Sequence, residues 1–337
     1  METELGKEKV RFTVTTYDFL AYFVPGFVFI LCVYFIEDLL IQKINFEASN
    51  YFLLFKIHYI FNPIINLLKE SNNWLYSLLM ALLLIIISYV IGHIVASFSA
   101  FFLDRNLIGR YFKYPYKTLL KYTKTTDDTK KLKVGEKIIS VIFLINLFIL
   151  ILLLCNKFFS DYLIYVSSIL VLILGVSLSK YISMIIKKIK DFIKLLLNVG
   201  DPFDDYFKIK FENTFSKAFD YDYKNADTNI YWYTRNFIIE RSHELNEMLK
   251  NWFNLYSFSR NLSTAFYLAY LILSFELIFL ERNIHFDLNF SRSIIVYIII
   301  ILIISIILLI RYAYLYYVYY NKYLYRSFVY LNCKKNK

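Results

Sequence analysis

From Ser77 to Leu103 the chain runs without a single Asp, Glu, Lys or Arg. At about 1.5 Å of rise per residue, a helix of that length exceeds the ~30 Å of hydrocarbon in a bilayer. No other feature narrows the fold as much. Backbone inside lipid must satisfy its own hydrogen bonds, and a continuous apolar run does so as a helix. Further spans are expected, so that the set is about Tyr17–Leu40, Leu75–Leu103, Ile138–Cys155, Tyr162–Ile186, Leu262–Leu280 and Ser293–Ile310. The sequence is 58% hydrophobic and 20% aromatic, above the ~45–50% apolar of soluble domains. It is the gathering of that excess into runs that decides. The expected fold class is an all-α integral membrane protein with about six transmembrane helices in three hairpins and a small helical cytoplasmic region.

Lysine and arginine set the expected orientation. The segments before the first span, at 104–137, at 187–261 and from 311 onward carry 31 of the 38. The intervening loops carry 6, and Lys180 near the end of the fourth span can snorkel. Positive residues flanking spans stay inside, which puts both termini in the cytoplasm of a multi-pass protein of the cell (cytoplasmic or inner) membrane. The expected organisation is a cytoplasmic N-terminus at 1–16 and a first hairpin at 17–103 with an external interfacial loop at 41–74. A basic cytoplasmic loop at 104–137, a second hairpin at 138–186 and a cytoplasmic helical region at 187–261 follow. A third hairpin at 262–310 and a Tyr-rich basic tail at 311–337 complete it. The first apolar run starts late and lacks a small-residue cleavage pattern, so it is expected to remain as an anchor.

A net charge of +11 invites a nucleic-acid reading, but in a membrane protein it fits orientation and anionic headgroups. No nucleic-acid partner is expected; the lipid bilayer with anionic headgroups is. Cys32, Cys155 and Cys333 are far apart and form no CxxC, so neither a disulfide framework nor a zinc site is implied.

Within the region 187–261, KKIKDFIKLLLN is a cationic amphipathic stretch suited to the headgroups. Tyr231–Asn261 reads as one long amphipathic helix running directly into the fifth span. Leu245, Leu249, Trp252 and Tyr256 form a stripe along it that needs a partner surface. The tail holds nine tyrosines between 312 and 330, and aromatic anchoring at the membrane interface is expected there.

Polar residues inside spans are the candidate sites. His93 and Ser97, four apart on the second span, are neighbours on that helix. Glu276 lies well inside the fifth. An ionisable group at such a depth is costly and marks function by default, although hydrogen-bonded packing is the plain alternative for each. His93 is the obvious candidate partner for Glu276. Pro25-Gly26 in the first span is a candidate hinge, since proline frees a carbonyl and kinks the helix while glycine admits close approach. A simple packing kink is the commoner outcome. Glu240 and His243, with Glu244 and Glu247, have the Glu-x-x-His spacing of di-iron bundles, but a second copy is missing. Asp201, Asp204 and Asp205 suit a turn or helix cap better than a cation site. No metal and no cofactor are expected.

Seven glycines in the whole chain leave little room for a phosphate-cradling loop, and no HExxH or GxSxG is present. The sequence leans away from an enzyme. Straight, glycine-poor helices with sparse polar groups suit a homo-oligomeric, channel-like or signal-responsive membrane effector, its second and fifth spans facing the interior. The cytoplasmic region would sense a signal or dock a soluble protein. A membrane scaffold recruiting such a partner is the first alternative, and a small-solute transporter the second. In layout, and in its Pro-Gly and Gly-His positions, the chain loosely resembles uncharacterised bacterial multi-pass proteins found beside stress or phage-defence genes. That resemblance implies a membrane effector and transfers no residue's role.

Overall fold

The computed structural model describes residues 16–44, 60–64, 66, 74–121, 141–142, 144–149, 152–153, 184, 188, 191, 202–226, 229–283 and 288–334. Every described element is helical. A short turn (Thr16–Asp18) and a π-helical segment (Phe19–Phe23) lead into α1 (Val24–Ile44). Helix α2 (Trp74–Ser99) continues as π-helix through Ala100–Phe112. Then come α3 (Pro115–Leu119), α4 (Asp205–Phe219), a 3₁₀ turn (Tyr223–Asn225), α5 (Asn229–Arg241) and the long α6 (His243–Asn283). Helix α7 (Leu288–Tyr314), a π-helical segment (Leu315–Asn321) and α8 (Lys322–Lys334) complete the order.

Four stretches are long and apolar enough to cross a membrane: Phe19–Ile41, Ser77–Gly109, His243–Ile278 and Phe290–Cys333. They correspond to the first, second, fifth and sixth expected spans. The third and fourth lie largely outside the described residues, and so does the expectation of six spans in three hairpins. What is described of 141–153 packs against the membrane core: Ile149 and Leu153 are buried in it, and the Asn146 side-chain amide donates to the Tyr267 hydroxyl at 2.7 Å.

Helix α6 is the hub, packing against α1, α2 and α7. Of its membrane-length window 56% is buried, against 17% for α2. Within the single chain the fifth span is thus the inward one and the second the more exposed. Helix α2 turns Leu79, Leu82, Leu83, Ile86, Val90 and Ile94 outward, a face suited to lipid. Helices α6 and α7 are stapled by serines, Ser263 Oγ donating to the Ser305 carbonyl and Ser305 Oγ to that of Ser263, each at 2.8 Å. Such small hydroxyls allow close helix approach while satisfying themselves.

A second core lies beyond the membrane helices. Phe211 and Phe215 of α4, Phe237 of α5 and Tyr325 and Phe328 of α8 bury together. Asp204 caps α4, its Oδ1 accepting from the Phe207 N–H at 2.8 Å. Next to it, the Lys208 ammonium bonded to Asp205, with Lys121 beside it, holds the Asp205 carboxyl below the usual carboxylate range. The long helix expected over Tyr231–Asn261 is broken at Ser242. That residue's N–H closes α5 on the Ile238 carbonyl, and its Oγ accepts from the Leu245 N–H to start α6. A serine prefers such a cap to a helix interior.

Much of the tyrosine tail is packed inside the protein. Tyr317, Tyr320 and Tyr325 are buried in this aromatic core. The physical reason is the stripe on α6. Trp252 stacks on Tyr319 with ring centres 4.6 Å apart, and Tyr256 meets Tyr312, Tyr316 and Tyr320. The tail is the partner surface that Leu245, Leu249, Trp252 and Tyr256 require. Burial of Tyr231 pushes its phenol above the ordinary tyrosine range, and its hydroxyl bonds to that of Tyr320 at 2.7 Å.

Candidate functional site: a polar junction on the central helix

Pro25 has no N–H, so the carbonyl of Ala21, four residues earlier, loses its ordinary helical partner. Asn261 of α6 supplies one, its side-chain amide donating to the Ala21 oxygen at 2.7 Å. The same Asn261 accepts from Ser99 Oγ of α2 at 2.5 Å and from Arg260 Nε at 3.1 Å. Arg260 reaches on to the Asp104 carboxylate, whose other oxygen accepts from the Tyr312 hydroxyl of α7. One pair of adjacent residues on α6 thus ties down α1, α2 with its π-helical extension, and α7. The Arg260 side chain is 12% exposed and that of Asp104 38%, so the ion pair sits at the edge of solvent rather than fully inside.

The first two π-helical segments meet α6 at this level and the third meets it further along, at Trp252 and Tyr256, and a side-chain amide holds a carbonyl in each. Asn261 holds Ala21, Asn106 holds Phe101 at 3.0 Å and Asn321 holds Tyr316 at 2.8 Å. A π-helical turn is rare and is frequently found at functional positions. Ser257 and Ser259, on the same stretch of α6, have buried hydroxyls without a partner. The chemistry present is an ion pair, amides and hydroxyls. It positions helices rather than breaking bonds.

The residues expected from sequence are placed as follows. Pro25 and Gly26 are buried where α1 crosses α2. A Cβ on Gly26 would stand 1.9 Å from the Ser88 carbonyl oxygen, and one on Gly92 1.8 Å from that of Tyr22. His93 and Ser97 are exposed on the outer face of α2. The His93 ring stacks on Tyr22 at 3.9 Å and meets the edge of Tyr89 at 4.6 Å, while Ser97 Oγ bonds back to the His93 carbonyl at 2.9 Å. Glu276 is buried, but at the opposite end of α6, fifteen residues or about 22 Å along the helix from Asn261. Its partner is Glu37 of α1, not His93. Among the described residues no three His, Cys, Asp or Glu side chains gather as a metal site.

Sequence reasoning missed Asn261 and Glu37, and read Asp104 as an edge anchor of the second span. A signal existed for Glu37, which falls inside the span drawn as Tyr17–Leu40. No known family, curated protein or solved structure matches the chain, so the junction itself is the ground on which function is argued.

Proposed function

We propose that the protein is a signal-responsive, channel-like membrane effector working as a homo-oligomer, with the aromatic bundle as its cytoplasmic sensing or docking end. The observation that carries this reading is the junction at Arg260 and Asn261. Two π-helical segments meet there, and a third packs close by at Trp252 and Tyr256, all on one helix that runs unbroken from the bundle core to Glu276. Converting a π turn to an α turn removes about one residue from that turn. It rotates and shifts everything beyond it by about 100° and 1.5 Å. A ligand or partner that bound the bundle differently in the two registers would bias that equilibrium. The Arg260–Asp104–Tyr312 contacts act as the lock of the resting register.

The test is membrane potential. Cells expressing the Arg260→Ala variant, with the lock removed, lose membrane potential more than cells expressing the native chain, as a voltage-sensitive dye reports. The scaffold reading keeps a specific support in the exposed Tyr206, Ile209 and Trp232 of the bundle, side chains suited to a protein surface. If neither form depolarises cells at matched abundance, the channel-like reading falls and the scaffold stands.

A further inference from the structure

Helix α2 carries no charged residue from Ser77 to Leu103, and most of its outward face is aliphatic. His93 is the exception. It lies sixteen residues from Ser77 and ten from Leu103, about 24 Å and 15 Å of helix, so it is deep in the apolar stretch from either end. Its side chain is exposed on the outward face among Val90, Ile94 and Phe98, which are exposed as well. Tyr22 of α1 covers one face of the imidazole and Tyr89 stands edge-on to it, at 3.9 and 4.6 Å between ring centres. Both are contacts between rings. Among the described residues, no group hydrogen-bonds to the His93 ring nitrogens.

Hydrocarbon offers those nitrogens nothing, and ionisable side chains in membrane helices almost always turn to a partner or to water. A long lysine or arginine escapes such a position by reaching the interface. An imidazole, with one carbon between ring and main chain, is too short to bridge about 15 Å of helix. The group that completes His93 therefore comes from another surface. A neutral imidazole has one N–H donor and one bare nitrogen acceptor, so it is complementary to a second imidazole at the same depth. Copies of one chain related by rotation about the membrane normal bring their His93 residues to one depth by symmetry. In a pair, one ring donates to the other; in a larger ring of copies, each donates to the next. Ser97, one turn further on the same face, leaves room for close approach, being small and already bonded to the His93 carbonyl at 2.9 Å. Val95 and Ala96 take the buried side of the same turn, so packing within the chain uses the other face.

We propose that the outward face of α2 is the interface between copies of this chain, joined deep in the membrane by hydrogen bonds between their His93 side chains. This rests on the homo-oligomer reading and names the face through which the copies meet. The side of α2 that carries Ser99 is turned to Asn261 of α6, so the copies meet without displacing the junction.

Disulfide cross-linking in native membranes tests it, on the full chain with Cys32, Cys155 and Cys333 replaced by alanine. Ser97→Cys, oxidised with copper phenanthroline, gives a product of twice the chain mass, because a disulfide needs Cα atoms within about 7 Å. Ile303→Cys, on the exposed face of α7, gives none. Light scattering in mild detergent reads the assembly itself. His93→Ala weakens association about threefold to twentyfold, the range for one hydrogen bond between membrane helices. His93→Gln, whose amide also carries a donor and an acceptor, retains it. An assembly without a Ser97 cross-link overturns the interface and leaves the homo-oligomer standing. A chain that is monomeric in membrane and detergent alike overturns both. A His93→Ala protein that assembles as the native one does but melts lower overturns the assignment in favour of another segment of the same chain covering this face.

Discussion

Gly26 and Gly92 meet backbone to backbone where α1 crosses α2, so that a Cβ on Gly26 would lie 2.6 Å from the Gly92 nitrogen. The atoms in the way are main chain and cannot swing aside. Overpacking a tight contact costs about 1–3 kcal/mol, and here the helices themselves must separate. Gly92→Ala and Gly26→Ala each lower the melting temperature of the purified protein. Gly109→Ala is the control, because the nearest atoms to its Cβ are the outer ring atoms and hydroxyl of Tyr114, which can rotate away. A Gly92→Ala protein that melts with the native one would refute the close crossing.

The bond from Asn261 to the Ala21 carbonyl makes a sharper forecast. Asn261→Ala leaves that oxygen and the Ser99 hydroxyl buried without their partner, at a cost of about 1–3 kcal/mol for the unmet group. Pro25→Ala restores an N–H where the Ala21 oxygen can accept it. Combining the two substitutions therefore costs less than the sum of the singles, a coupling that a double-mutant cycle on thermal or denaturant melting measures. Strict additivity would mean that Asn261 and Pro25 do not act on the same carbonyl.

Pro25-Gly26 was readable in sequence as a special point because both residues announce a local backbone consequence. The rest of the junction was not. Asp104 and Arg260 flank different spans and are 156 residues apart, and charge at a span edge looks alike whether it anchors to headgroups or bonds to another helix. The His93–Glu276 pairing failed for a related reason: hydropathy locates a run but not which face turns inward. Helix α2 turns His93 outward beside Tyr22, while α6 turns Glu276 inward to Glu37. The α6 stripe demanded a partner and the tail's tyrosines offered one, yet nothing in either segment alone says that they match.

Arg260 performs two tasks with one guanidinium, bonding to Asn261 through Nε and to Asp104 through a terminal nitrogen. Lysine has neither the fork nor the reach to do both. Arg260→Lys is therefore expected to destabilise nearly as much as Arg260→Ala. The loss is about 1–3 kcal/mol rather than the ~3–5 kcal/mol of a fully buried pair, because Asp104 is more than a third exposed. Tyr312→Phe removes one hydrogen bond to the same carboxylate and costs about 0.5–1.5 kcal/mol. Denaturant melts of the three variants in one detergent check the order. Full recovery by lysine would show that only charge matters at this position.

Phe328 distinguishes a core role for the tail from membrane anchoring. Its ring lies within 5.0–6.2 Å, centre to centre, of Phe211, Phe215, Phe219 and Phe237, and it is fully buried. Truncating a buried phenylalanine costs about 3–5 kcal/mol, partly through the cavity left behind. Phe328→Ala is expected to loosen α4, α5 and α8 together, seen as faster amide hydrogen exchange in all three helices. The exposed Tyr330, two residues on, tolerates alanine within about 0.5 kcal/mol. An interfacial anchor predicts the reverse. Phe328→Ala would then weaken membrane retention and leave the exchange of α4 and α5 unchanged, because rings seated among headgroups support no other helix.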